Sequence, residues 1–187
     1  MNTLLVHLRW SEANAMVEEL LVSLYPNMQK EESSDTYMFF RIEENRIPLP
    51  LDDLYNLLVT DFQLRFTMLV LLEPAGNLLP RPLWHSLTAT LKAGDYDLET
   101  AIIQGQRKLP ELFTVLKDRL NTLLSQTDIT TVLALAHANM NISTAAKRLF
   151  IHRNTMLYRL EHISRISGID VKTFKGLFIL YSLYKVY

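Results

Sequence analysis

The chain has 187 residues, 49% of them hydrophobic, and a formal charge of −1, so it can bury a sizeable core and divide into one or two domains. It contains no cysteine, which excludes disulfides, thiolate metal sites and a cysteine nucleophile. Met1–Glu12 has no signal-peptide pattern, and the apolar stretches Phe66–Leu72 and Gly176–Tyr184 fall far short of the roughly 18 residues of a membrane span, so a soluble cytoplasmic protein is expected.

In chain order, Thr3–Leu8 reads as a short apolar strand. Glu12–Tyr25 then has helical periodicity, with Ala13, Met16, Val17, Leu20, Leu21 and Leu24 on one stripe, Ser11 as cap and Pro26 beyond the end. Asn27–Asp35 is polar and reads as a loop, and Thr36–Ile42 reads as a strand. Pro48 and Pro50 break the chain, and Asp52 and Asp53 open a helix that runs to about Phe62. Arg65–Leu72 is the clearest strand. A turn over Glu73–Asn77 follows, then a helix over Pro82–Ala93 ended by Gly94. Leu98–Ser125 is helical and is split near Gly105 and Pro110. Three strands alternating with helices predict a small α/β sandwich-like domain over residues 1–97. Connecting helices over 98–127 lead to an all-α domain over 128–187, which makes the whole chain α+β.

Charge divides the chain in the same place. Residues 129–187 carry eight Lys/Arg against Glu161 and Asp170, a net +6, whereas residues 1–128 carry −7. A basic segment joined to an acidic one is what a nucleic-acid module attached to a different domain produces.

The basic segment has the spacing of a helix-turn-helix. A first helix is predicted over Ile129–Asn139, then the linker Met140–Ile142, then Ser143 as cap of a short helix over Thr144–Phe150. Ala145, Ala146 and Leu149 form the inner face of that helix. Phe150–His152 is the tight turn, and His152 caps a recognition helix over Arg153–Ser167. Met156, Leu157, Leu160, Ile163 and Ser167 form its buried stripe. Gly168 ends it in the left-handed conformation, and Ile169 supplies the apolar contact beyond.

The opposite face of the recognition helix carries Arg153, Asn154, Thr155, Tyr158, Arg159 and His162. Arg and Asn can read base edges through paired hydrogen bonds, and Thr and Tyr more often fix phosphates. Ser143, Thr144, Lys147 and Arg148 on the preceding helix, with His152 in the turn, complete the expected DNA-binding set. In the last segment, Val171–Tyr187, Phe174 and Phe178 are expected in the core, and Tyr184 and Tyr187 are candidates for a dimer contact.

The run Asn141–Leu160, with its His152-Arg153-Asn154-Thr155-x-x-Tyr158-Arg159-Leu160 string and Gly168-Ile169-Asp170 beyond, resembles the C-terminal DNA-binding domain of the PucR/CdaR family of bacterial regulators. That domain is itself similar to the Fis-type helix-turn-helix. The resemblance covers about residues 128–187. It implies a dimeric transcription regulator, often responsive to a small-molecule effector, with double-stranded DNA as partner and no cofactor. Many members carry a degenerate cyclase-like domain ahead of the helix-turn-helix, and residues 1–97 are compatible with a reduced version of it.

No catalytic or metal site is expected. His7, His85 and His137 are isolated in sequence and read as structural. The five glycines build no phosphate-cradling loop, and no nucleophile motif is present. The alternative to DNA binding is an adaptor whose helix-turn-helix packs on a protein partner.

Overall fold

Alternating apolar side chains at the N-terminus place β1 (Thr3–Trp10) at the centre of a sheet. β1 pairs antiparallel with β3 (Tyr37–Glu43) on one side and with β4 (Phe66–Leu72) on the other. Period two separates the faces. Val6 and Leu8 lie beside Phe40, Met38 and Met68 on one face, and His7 lies between Phe39 and Leu69 on the other. The structure, a computed structural model, describes residues 3–10, 15–34, 36–43, 51–61, 63, 65–72, 75 and 77–185. The expected cap at Ser11, the breaks at Pro48 and Pro50, most of the 73–77 turn and Tyr187 lie outside them.

The sheet has five strands, in the order β2-β3-β1-β4-β5, rather than three. The additional two are edge strands. β2 (Gln29–Ser34) occupies the segment expected to be a loop, and pairs antiparallel with β3 across an irregularity between Lys30 and Glu32. Its charged, largely exposed side chains erase the apolar alternation that would mark a strand, and such a strand suits an edge because it discourages pairing with other chains. β5 (Gly94–Tyr96) pairs parallel with β4 through Thr67, Met68 and Leu69. Gly94 therefore starts a strand and does not end the preceding helix, which stops at Thr90.

Helices cover both faces. α1 (Ala15–Leu24) and α2 (Leu51–Thr60) bury Val17, Leu21, Leu54 and Leu58 against Val6, Leu8, Met38, Phe40 and Met68. On the opposite face lie α3 (Arg81–Thr90), α4 (Leu98–Gly105) and α5 (Glu111–Leu123). Their Leu83, Trp84, Leu87, Ala101, Ile102, Leu112, Leu116 and Leu120 join a core that begins at Phe39, Leu69 and Leu71.

That second core does not stop at the C-terminal segment. It continues through Val132, Leu135, Met156, Leu160, Ile163, Ile179 and Leu180. These belong to α6 (Gln126–His137), α7 (Ile142–Arg148), α8 (Arg153–Ser167) and α9 (Phe174–Tyr184). Specific contacts reinforce the junction. The Asp170 backbone N–H donates to Glu99 Oε1 at 3.0 Å, and Lys175 Nζ donates to Asp97 Oδ2 at 2.9 Å and Thr100 Oγ1 at 2.7 Å. Burial opposes ionisation of Asp97, but hydrogen bonds from Thr100 and Lys175 outweigh it and hold the carboxyl below its ordinary range. Among the described residues no helix is long and apolar enough to cross a membrane.

Candidate nucleic-acid interface

The recognition helix is positioned by caps and close packing written in its own sequence. α6 opens at Ser125, whose Oγ accepts from the Asp128 N–H while the Asp128 carboxylate accepts from the Ser125 N–H at 2.9 Å. This reciprocal capping box satisfies donors that a helix start otherwise leaves free, and it begins the helix three residues before the expected Ile129. Asn139 and Met140 then take positive φ, 49° and 63°, and turn the chain into α7.

The cap of α7 is Asn141, not Ser143. Its side chain accepts from the Thr144 N–H at 2.9 Å, and the helix starts at Ile142. Asparagine is at least as good a cap as serine, and its placement frees the Ser143 hydroxyl, which is exposed. Ala145 and Ala146 are fully buried, and their small side chains let α7 cross α8 closely.

His152 caps α8 as its sequence position predicts, with Nδ1 accepting from the Asn154 N–H at 3.2 Å. Met156, Leu160, Ile163 and Ser167 are buried and Leu157 is half-buried. Gly168 ends the helix at φ +69°, and a Cβ there would stand 2.5 Å from the Ala75 Cβ and 2.6 Å from the Ala75 backbone nitrogen. Glycine is thus required twice, by backbone conformation and by the close approach of the segment after β4.

The side chains singled out in sequence fall on the exposed surface of the α7–turn–α8 unit. Ser143, Thr144, Lys147, Arg148, His152, Arg153, Asn154, Thr155 and Tyr158 are exposed, and Arg159 and His162 are half-buried. Tyr158 is 68% exposed. His162 Nδ1 lies 3.3 Å from Arg165 Nη2, so this histidine has a neighbour on its own helix. Among the described residues, none of Lys147, Arg148, Arg153 and Arg159 has an acidic partner. A face of uncompensated cations at the start of a helix is a surface that attracts anions.

The last helix is present as expected, but its inward face differs. Phe174 and Phe178, expected in the core, are 73% and 39% exposed, and their rings stack at a centroid distance of 6.3 Å. Tyr184, held as an interface candidate, is 8% exposed, and burial raises its hydroxyl pKa to about 12. The period of this helix was legible but its phase was not. Gly176 sets that phase: a Cβ there would lie 2.1 Å from the Asp170 carbonyl oxygen, so this side of the helix faces inward. Phe174 and Phe178 line, with Ala136, His137, Met140 and Tyr181, a groove of about 560 Å³ between α6 and α9.

The fold brings together two histidines that are isolated in sequence. His137 is exposed and His7 is fully buried, but His7 and His85 are not isolated, since β1 and α3 bring them into contact. Among the described residues no group of three or more His, Cys, Asp or Glu is placed to hold a metal.

A helical unit in which a short helix, a tight turn and a capped, cation-faced helix follow in this order is a helix-turn-helix domain. Residues 129–186, about a third of the chain, match the PucR C-terminal helix-turn-helix domain. Over 44 residues the chain is 48% identical to the DNA-binding transcriptional activator AdeR of Bacillus subtilis (strain 168), covering 24% of this chain and 10% of AdeR. It is 41% identical over 51 residues to the carbohydrate diacid regulator of Escherichia coli (strain K12), covering 27% of this chain and 13% of that protein. A 43-residue stretch is 42% identical to YxkF of Bacillus subtilis (strain 168), covering 23% of this chain and 14% of YxkF. The matched stretches thus span a small part of each relative. The regulator of polyketide synthase expression from Bifidobacterium adolescentis aligns with 97% of this chain and 78% of its own, at 13% identity and a TM-score of 0.48.

Proposed function

We propose that the protein is a sequence-specific DNA-binding transcription regulator. The observation that carries this reading is the outer face of α7 and α8, where exposed Lys147, Arg148 and Arg153 and half-buried Arg159 have no acidic partner among the described residues. The match of residues 129–186 to the PucR helix-turn-helix domain supports it. In this reading α8 enters the major groove by its N-terminal end. Arg153 and Asn154 read base edges, while Ser143, Thr144, Lys147, Arg148, His152, Thr155, Tyr158, Arg159 and His162 hold phosphates or flank the readers. The protein acts as a homodimer, which places two copies of α8 about 34 Å apart on an inverted repeat.

The test is selection of bound duplexes from a random library, followed by titration of the winner at several salt concentrations. An enriched motif with two half-sites and affinity falling steeply with salt is expected, because cations on the protein release condensed counterions from DNA. No enrichment, or affinity indifferent to salt, would overturn the reading. Sedimentation of the free chain and of its DNA complex reports the dimer.

A further inference from the structure

One residue of the α7–α8 turn was not among those expected to touch DNA. Phe150 takes φ +54° and is 95% exposed. Its backbone N–H donates to the Lys147 carbonyl at 3.2 Å, and the Ile151 N–H donates to the Ala146 carbonyl at 3.0 Å, so the turn that holds it is well formed. A bulky side chain at positive φ is a genuine outlier. The other strained positions each have a local reason. Asn139 is a residue type that tolerates this region, the Met140 side chain packs on the core, and Gln63 is polar and meets water. Phe150 is neither a tolerant residue type nor buried.

The turn itself calls for a left-handed residue at the end of α7, but a bare phenyl ring placed there directs attention to function. The ring stands in the chain between Lys147 and Arg148 on one side and His152 and Arg153 on the other, all exposed. A bare aromatic ring flanked by cations matches a polyanion that also offers apolar surface. Duplex DNA is such a partner: its phosphates meet the cations, and its deoxyribose carbons and thymine methyls meet a phenyl ring.

We infer that Phe150 is a DNA-contacting residue, its ring lying against deoxyribose or a thymine methyl at the edge of the groove that α8 enters. This rests on the regulator reading above. It adds an apolar, salt-insensitive component to an interface otherwise built from charges and hydrogen bonds.

The experiment compares Phe150→Ala and Phe150→Leu with the unaltered chain on the duplex selected by the unaltered chain. Because the ring is exposed, both variants should melt as the unaltered chain does. Phe150→Ala should weaken binding roughly tenfold or more, since apolar area of a phenyl ring is no longer buried. Phe150→Leu should recover much of the loss, and the dependence on salt should be the same in all three, because no charge is removed. Replacing thymine by deoxyuridine in the duplex separates the two sources. If the ring meets a methyl, the replacement weakens the unaltered chain but not Phe150→Ala, and if it meets deoxyribose both are indifferent. Unaltered affinity in Phe150→Ala overturns the assignment of Phe150 and leaves the regulator reading intact. Absence of duplex binding by the unaltered chain overturns both.

Discussion

His7 Nε2 and His85 Nδ1 lie 3.3 Å apart, which joins the central strand of the sheet to α3. The His7 ring stacks on Phe39 at 4.4 Å and faces Tyr37, and its Nδ1 is buried with no hydrogen-bond partner among the described residues. Beyond it, His85 Nε2 is 3.4 Å from Glu32 Oε1, and that oxygen accepts from the Tyr37 hydroxyl at 2.7 Å. Burial first, then the neighbouring charges of His85, Arg9 and Arg81, holds His7 well below the ordinary value of 6.5. The native state therefore keeps this base neutral.

A folded-state pKa depressed in a base means that the unfolded chain binds the proton and the native chain resists it. The stabilisation is fully present above 6.5, the value of an unperturbed histidine, and is lost as pH falls below it. Urea unfolding from pH 7.5 down to pH 5 should show stability declining more steeply in the unaltered protein than in His7→Leu. Equal slopes would show that His7 takes up its proton as readily in the fold as in water.

Gly168→Ala should be among the most damaging single-methyl changes in the chain. The residue holds φ +69°, and the new Cβ would meet the Ala75 Cβ at 2.5 Å and the Ala75 nitrogen at 2.6 Å. Left-handed strain and forced overpacking together amount to about 2–4 kcal/mol. Chemical unfolding measures it, and a loss under about 0.5 kcal/mol, the level of an ordinary surface substitution, would mean that the junction between α8 and the sheet yields easily.

The capping pattern separates two serines and an asparagine that look alike in sequence. Asn141 and Ser125 accept from backbone N–H groups at the starts of α7 and α6, whereas Ser143 is exposed and caps nothing. Asn141→Ala and Ser125→Ala should each cost about 1 kcal/mol in unfolding experiments. Ser143→Ala should stay within about 0.5 kcal/mol of the unaltered protein, like other exposed positions, while weakening DNA binding if the hydroxyl reaches a phosphate.

Much of this architecture was legible because its signals were local. The α8 boundaries, the His152 cap and the Gly168 terminus each depend on a few adjacent residues, and they agree with the sequence reading. The misses depended on information that is not local. β2 is a strand because β3 offers it a partner, not because Gln29–Ser34 has a strand pattern. Phe174 looks like core until Gly176 fixes which side of α9 faces Asp170. His7 and His85 are 78 residues apart in sequence, and their contact follows from sheet register and helix placement. Phe150 was readable as a turn residue, but its positive φ and its exposure are visible in the fold alone.

The two halves of the proposed interface should fail in different ways. Arg153 and Asn154, proposed to read base edges, are exposed in the first turn of α8, whereas Lys147, proposed to meet phosphates, is exposed near the end of α7. Arg153→Ala with Asn154→Ala should remove about 1–3 kcal/mol of discrimination per paired contact and flatten sequence preference at the bases they read. Lys147→Ala should weaken binding about equally for all sequences and reduce the slope of log affinity against log salt by about 1. Competition titrations with the selected duplex and a scrambled one, at three salt concentrations, resolve the pair. An unchanged preference in the double variant would take base reading away from the start of α8. A changed preference in Lys147→Ala would move base reading toward α7, and either result would redraw how this helix-turn-helix docks.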